Sequence, residues 1–265
     1  MKIHGTAKGG AISKKDFGVA FSGATVTPFD DTGLKSYWKF NESSGDILNQ
    51  SESDDTLGSG ADIAITGATY NQSELPFGYS MLFDGTNDFG EAGSSLSQWN
   101  FMHSTTATYT VCYWIRFVSN AADEFILANI HTNDAGAGQM VARIEDSGKL
   151  RHNGTNGTTN VYINNTATSY IADDTNYFMV FTYDQSLGSN NATILKNAGN
   201  ETNGTKTAAT PLNGNASYSL QFAKNPSGTS GYGNFYISEC SIWGRVLSDD
   251  EIEELYNSGD GRAIY

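Results

Sequence analysis

The stretch Phe235–Tyr256 restricts the fold more than any other part of the chain. Phe235 and Ile237 alternate with polar neighbours, Ile242 and Trp243 follow, and Arg245 and Leu247 lead into Ser248, with Glu251 three residues on. That order predicts a strand handing over to a capped helical turn. The Glu251 amide donates to the Ser248 hydroxyl while the Glu251 carboxylate accepts the Ser248 amide. Asp249, Asp250 and Glu251 place negative charge at the positive end of the helix dipole, and Ile252, Leu255 and Tyr256 form an apolar stripe. A helix this short needs a sheet to pack on.

The rest of the chain supplies that sheet. Apolar alternation predicts strands at 37–40, 63–65, 80–83, 88–92, 109–117, 124–130, 140–144, 150–152, 160–163, 177–183, 192–196, 218–222 and 235–243. Turn clusters such as Asp146-Ser-Gly148 and Asn153-Gly154 separate them, and 29 Gly against 4 Pro suits many tight connections. In the strand 109–117, Val111, Tyr113, Ile115 and Phe117 share one face and Cys112, Trp114 and Arg116 the other. Two apolar faces place it at a sheet centre, with Trp114 and Trp243 in the core. The expectation is an all-β antiparallel β-sandwich or jelly roll with one short C-terminal helix.

Four motifs in order, Tyr37-Trp-Lys-Phe40 with Ser44-Gly45 and Asn49, Leu82-Phe-Asp-Gly85 with Asp88-Phe89, Tyr109–Arg116, and the C-terminal Ile-Trp-x-Arg-x-Leu-Ser pattern, carry a family resemblance. The chain resembles laminin-G-like and pentraxin-like domains of the concanavalin A-like lectin/glucanase superfamily from about Leu34 to Gly261. The resemblance implies a concanavalin A-like jelly roll, frequent carbohydrate binding, and calcium held by loop carboxylates at the sandwich edge.

At 265 residues the chain suits one sandwich. Residues 34–265 read as that domain. Residues 1–33 differ, with Lys8, Lys14 and Lys15 in an otherwise acidic chain and alternating Phe17, Val19, Phe21 and Val26. They read as an N-terminal arm, either disordered or laid on the sandwich or a neighbouring subunit. A formal charge of -14 disfavours nucleic acid and anionic membrane surfaces, which need a basic face. No apolar run reaches the roughly 20 residues of a membrane span, and no signal peptide is visible at the start. The two cysteines, Cys112 and Cys240, read as free buried thiols; in pentraxins the residue resembling Cys112 has a partner near 177–183, where this chain has none.

Catalysis is disfavoured. Glycosidases of the superfamily carry carboxylates on alternate residues of one strand, an arrangement this chain lacks, and His4, His103, His131 and His152 are scattered. For calcium the resemblance implies Asp84, Asp88 and Glu239, although Ser238 stands where the family usually has aspartate. Glycan binding is the leading expectation, with the loop aromatics Tyr79, Trp99, Tyr170 and Tyr232 as stacking candidates. The alternative is a self-assembling capsid, fibre or cell-surface layer component that uses the arm for subunit contacts. Sequons at Asn41, Asn49, Asn71, Asn153, Asn156, Asn164, Asn191, Asn200, Asn203 and Asn215 reflect either compositional bias or glycosylation. If used, they place the protein outside a cell, on a cell surface or on a virion, with much of its surface glycan-covered and less face left for ligand; the expected partner is a glycan or glycoprotein, with self-association through the arm as a further expectation.

Overall fold

Ten-residue strands buried along nearly their whole length need neighbours on both edges and cover on both faces, and two such strands sit at the centre of this structure. The computed structural model describes residues 28–93, 95–118, 124–129, 141–145, 148–156, 159–206, 216 and 218–265. Most of the expected arm, residues 1–27, lies outside them. Fifteen strands follow in chain order: β1 Leu34–Trp38, β2 Ile63–Thr66, β3 Thr69–Gln72, β4 Ser80–Asp84, β5 Phe89–Ala92, β6 Thr108–Phe117, β7 Glu124–Ala128, β8 Val141–Glu145, β9 Lys149–Thr155, β10 Asn160–Asn165, β11 Asn176–Asp184, β12 Ala192–Lys196, β13 Gly199–Gly204, β14 Leu220–Phe222 and β15 Asn234–Trp243. One α-helix, α1, spans Asp249–Tyr256. Residues Asp31–Ile264 form one compact unit.

All pairings are antiparallel, in two sheets. The first runs β13-β12-β11-β6-β15-β4-β3, with β1 also on β15; the second runs β10-β9-β8-β7-β14-β5-β2. β6 lies between β11 and β15, as its two apolar faces require. Tyr109, Val111, Tyr113, Ile115 and Phe117 point into the core. The sheets meet through aromatic contacts. Trp38 of the first packs 5.6 Å from Phe222 of the second, and the Tyr109 hydroxyl meets Tyr162 Oη at 2.6 Å and His152 Nε2 at 2.9 Å. Burying each such ring stabilises the sandwich by about 1.5–3 kcal/mol before entropy is counted.

Differences of three kinds from the sequence reading have visible reasons. The first strand ends at Trp38 rather than Phe40; Phe40, at φ 61°, is left-handed and turns the chain out of extended geometry. β3 and β13 are edge strands of sequence TYNQ and GNETNG, too polar to announce themselves by apolar alternation. The 3₁₀ segment Leu96–Met102 is a third, opened by Ser95, whose side chain caps it.

The capped helix forms as the sequence requires. Ser248 Oγ accepts from the Glu251 amide at 3.3 Å, and the Ser248 amide donates to Glu251 Oε2 at 2.8 Å. Arg245 grips both Glu251 oxygens at 2.9 and 2.5 Å. That grip, helped by Ser248, holds the Glu251 carboxyl down at about 2. The helix docks on the outer face of the first sheet, where Tyr256 stacks on Trp114 with centroids 5.9 Å apart. Both cysteines are free and buried. Ser248→Ala is expected to cost about 1 kcal/mol and to lower the melting temperature by about 2–4 °C, whereas Ser248→Asp keeps the cap and most of the stability. Differential scanning calorimetry of both variants checks this; an unchanged alanine variant contradicts it.

Candidate functional site

Two features set the geometry from which a site can be built: a buried carboxylate in the middle of β15 and an open groove on the second sheet. The first is Glu239. β15 pairs with β4 through Ile237 and with β1 from Cys240 onward, and Glu239 occupies the bulge where the partner changes, at φ 51°. The hydroxyls of Tyr37, from β1, and Tyr79, just before β4, both donate to its carboxylate. Burial pushes the Glu239 carboxyl up to about 7, against the opposing effects of the two tyrosine hydrogen bonds and the Lys39 charge. Burial and the neighbouring Glu239 raise both tyrosine hydroxyls above their usual range. The Tyr37 hydroxyl also accepts the Ile264 amide at 3.3 Å, fastening the chain after α1. The void beside this cluster, lined by Cys112, Ser241 and Arg262 among others, measures about 10 Å³, room for one water at most. The cluster is a structural clasp with no space for a substrate.

From the clasp a chain of hydrogen bonds reaches the other sheet. The Tyr37 amide donates to Asn49 Oδ1 at 2.9 Å, and the Asn49 amide donates to Asp62 Oδ1 at 2.8 Å. The Asp62 carbonyl in turn accepts the Gly93 amide at 3.1 Å. Asp62 and Gly93 both line the second feature, a groove of about 370 Å³ over β2 and β5. Its walls are Asp46, Ser59, Gly60 and Asp62 from the segment before β2, Ala64 and Thr66 of β2, and Phe89 and Glu91 of β5. Strand alternation explains this lining. Gly90 and Ala92 face inward and are buried, so Phe89 and Glu91 face out. At Gly90 an added Cβ would lie 2.7 Å from Ile63 Cγ2, so glycine lets β2 and β5 close up beneath the groove. The Lys224 ammonium sits 4.1 Å from the Phe89 ring centroid and holds the ring in place. The groove has the size of a small-ligand site, with one aromatic ring among polar groups.

The residues expected from sequence fall elsewhere. Trp99 is not a stacking platform: it is fully buried against Trp38 at 6.1 Å, and its indole N–H donates to the Ala92 carbonyl at 3.2 Å. Tyr79 is committed to Glu239. Tyr170 covers the β12–β13 hairpin, with its hydroxyl donating to the Asn200 carbonyl at 2.5 Å and the Lys196 ammonium 4.3 Å from its ring centroid. Tyr232 is half-buried in the β14–β15 connection, which also carries Lys224. The four therefore form no common platform.

The three carboxylates proposed for calcium do not meet. Asp84 pairs with Asn234, and Glu239 lies five residues further along β15, roughly 16 Å away by strand rise. Asp88 Oδ2 accepts the Asp84 amide at 3.0 Å and Asp84 Oδ1 accepts the Thr86 amide at 2.8 Å, so this pair builds the Gly85 turn. Among the described residues no group of three His, Cys, Asp or Glu side chains is placed to hold a metal ion. Calcium takes six to eight oxygens, and Asp84, Asp88 and Glu239 do not come together in one donor set.

The sequons divide by burial. Asn41, Asn71, Asn200 and Asn203 are exposed. Asn164 and Asn191 are buried and spend both amide hydrogens inside the protein, Asn164 on the Ala192 and Thr202 carbonyls and Asn191 on those of Asp184 and Leu187. Asn153 and Asn156 are buried as well, and Asn49 donates to Thr56 Oγ1 and the Gly58 carbonyl. A glycan at any of these five would have to displace packed or hydrogen-bonded atoms of the folded chain. Asn215 lies outside the described residues.

A family model for the concanavalin A-like lectin/glucanases superfamily matches residues 84–253. No curated protein matches the chain. Among solved structures, the binding domain of botulinum neurotoxin DC in complex with SialylT superposes with a TM-score of 0.61 at 16% identity, over 86% of this chain and 52% of that one. The binding domain of botulinum neurotoxin serotype D gives 0.60 at 10% identity, with 86% and 52% coverage. Trypanosoma rangeli sialidase gives 0.58 at 11% identity, with 87% and 34% coverage. This chain thus spans a third to a half of those proteins, and identities this low establish a shared fold alone.

The clasp carries its own pH signature. With the Glu239 carboxyl raised from 4.5 to about 7, the native state holds the proton more tightly than the unfolded chain does. The stability contributed is full below about pH 4.5, falls as pH rises towards about 7, and then levels off. Glu251, held low, acts below this window, where its contribution is lost as pH falls. Urea denaturation between pH 4.5 and 7.5 is expected to show the fall in the native protein and a flatter profile in Glu239→Gln. An equally steep fall in the variant contradicts the role given to Glu239.

Proposed function

Because the chain belongs to the concanavalin A-like lectin/glucanases superfamily, we propose that it is a non-catalytic carbohydrate-recognition module, displayed outside a cell or on a virion surface, that binds glycan in the groove over β2 and β5. The observation that carries the reading is the groove itself. Sugars are recognised by an apolar surface against ring C–H groups and by polar groups that pair with hydroxyls, and the lining offers both, Phe89 for the first and Asp46, Asp62, Ser59 and Glu91 for the second. These groups stand on sheet strands and on a segment bonded to β1, so little ordering entropy is lost on binding. The neurotoxin DC binding domain of similar fold is known in complex with SialylT, which supports looking for glycans in this fold.

Absence of catalysis is supported by the placement of the acids. Glu239, whose carboxyl burial pushes up to about 7, is enclosed with two tyrosines and has no substrate space. In the groove, Asp62 is already engaged by the Asn49 amide. The exposed Asn41, Asn71, Asn200 and Asn203 sequons support an extracellular setting.

Screening the protein on an immobilised glycan array is expected to reveal binding with release of no hydrolysis product. Phe89→Ala is expected to weaken that binding by up to about tenfold, the scale of one aromatic contact, with little change in the melting temperature. A flat array, or unchanged affinity in the variant, contradicts the reading.

A further inference from the structure

We propose that the β2–β5 groove selects glycans free of acidic groups, uncharged or amine-bearing sugars rather than sialylated, uronic or sulfated ones; this rests on the glycan reading above. Three carboxylates line the groove, Asp46, Asp62 and Glu91. A further acceptor lies beside the groove, on the next strand. Gln221 lies in β14 directly opposite Glu91, which is itself opposite Ala64, so the three form one row across neighbouring strands. Leu220 and Phe222 on either side of Gln221 point into the core, which turns the Gln221 side chain to the Glu91 face. Gln221 is 6% exposed, and its Oε1 has no hydrogen-bond partner. A buried acceptor gains from any donor that reaches it.

The lining is therefore rich in acceptors and acidic. Sugar hydroxyls and ammonium groups supply donors to such a surface, whereas carboxylate- or sulfate-bearing sugars bring more acceptors and like charge. The net charge of -14 adds to that repulsion at low salt. Lys224 is the cation placed beside the groove, and its ammonium lies over the Phe89 ring. A class of ligand follows that is distinct from the sialylated one suggested by the SialylT complex of a protein with similar fold.

The test is an array carrying matched neutral, glucosamine-type and sialylated or sulfated glycans, probed with the full chain and with Glu91→Lys and Glu91→Gln. Binding confined to neutral and amine-bearing glycans, at least tenfold over acidic ones, supports the inference. A salt-sensitive signal assigns the amine-bearing sugars and a salt-insensitive one the neutral sugars. Glu91→Lys is expected to admit acidic glycans, and Glu91→Gln to weaken any amine-bearing ligand several-fold. Acidic glycans bound as tightly as neutral ones would overturn the selectivity while leaving glycan binding intact. Selectivity unchanged in both variants would remove it from this groove, and binding to nothing on the array would overturn the glycan reading itself.

Discussion

The paired donation of Tyr37 and Tyr79 to the Glu239 carboxylate is the contact on which the architecture turns. β4 and β1 occupy successive halves of the same edge of β15, and the ladder is interrupted between them. The strand therefore bulges at Glu239, which adopts a left-handed conformation that a non-glycine residue tolerates only when its surroundings impose it. One tyrosine from each side closes on the bulge. A carboxylate does here what a hydrophobic residue would not: it gives each partner strand a directional bond at the point where the backbone ladder is interrupted.

That clasp connects the two sheets to the groove. Tyr37 belongs to β1, its backbone amide orients Asn49, and Asn49 fixes Asp62 at the groove wall. Trp38, next in β1, ties to the Ala61 carbonyl at 2.9 Å. The 41–62 connection is thus bonded to the core at several points along its length. A wall built this way keeps its shape without ligand, which suits recognition better than a mobile loop does. α1 and the residues after it cover the opposite, outer face of the first sheet through Trp114, so the two ends of the sandwich have different tasks, closure at one and an open face at the other.

Much of the fold was legible in the sequence because it depends on local rules. The Ser248–Glu251 capping box is a pattern of four residues, and the two faces of 109–117 follow from a period of two; both appear as written. Edge strands β3 and β13 were not legible, since their stability comes from pairing and their sequences are polar. The site was harder. Loop position suggested Trp99 as a ligand platform, but the capped 3₁₀ turn folds that loop into the core. Asn49, Asn164 and Asn191 match a modification pattern, yet tertiary contacts spend their amides. The strand carrying Phe89 and Glu91 was readable, but the sequence does not contain the register that sets them beside Ala64 and Gln221.

Backbone amide chemical-shift mapping distinguishes, residue by residue, recognition by a sheet face from recognition by loop aromatics. Titration with a bound oligosaccharide is expected to shift amides of 62–66, 89–93 and 221 and to leave those around Tyr79 and Tyr170 in place. Shifts centred on those tyrosine loops, with 89–93 unmoved, would contradict it.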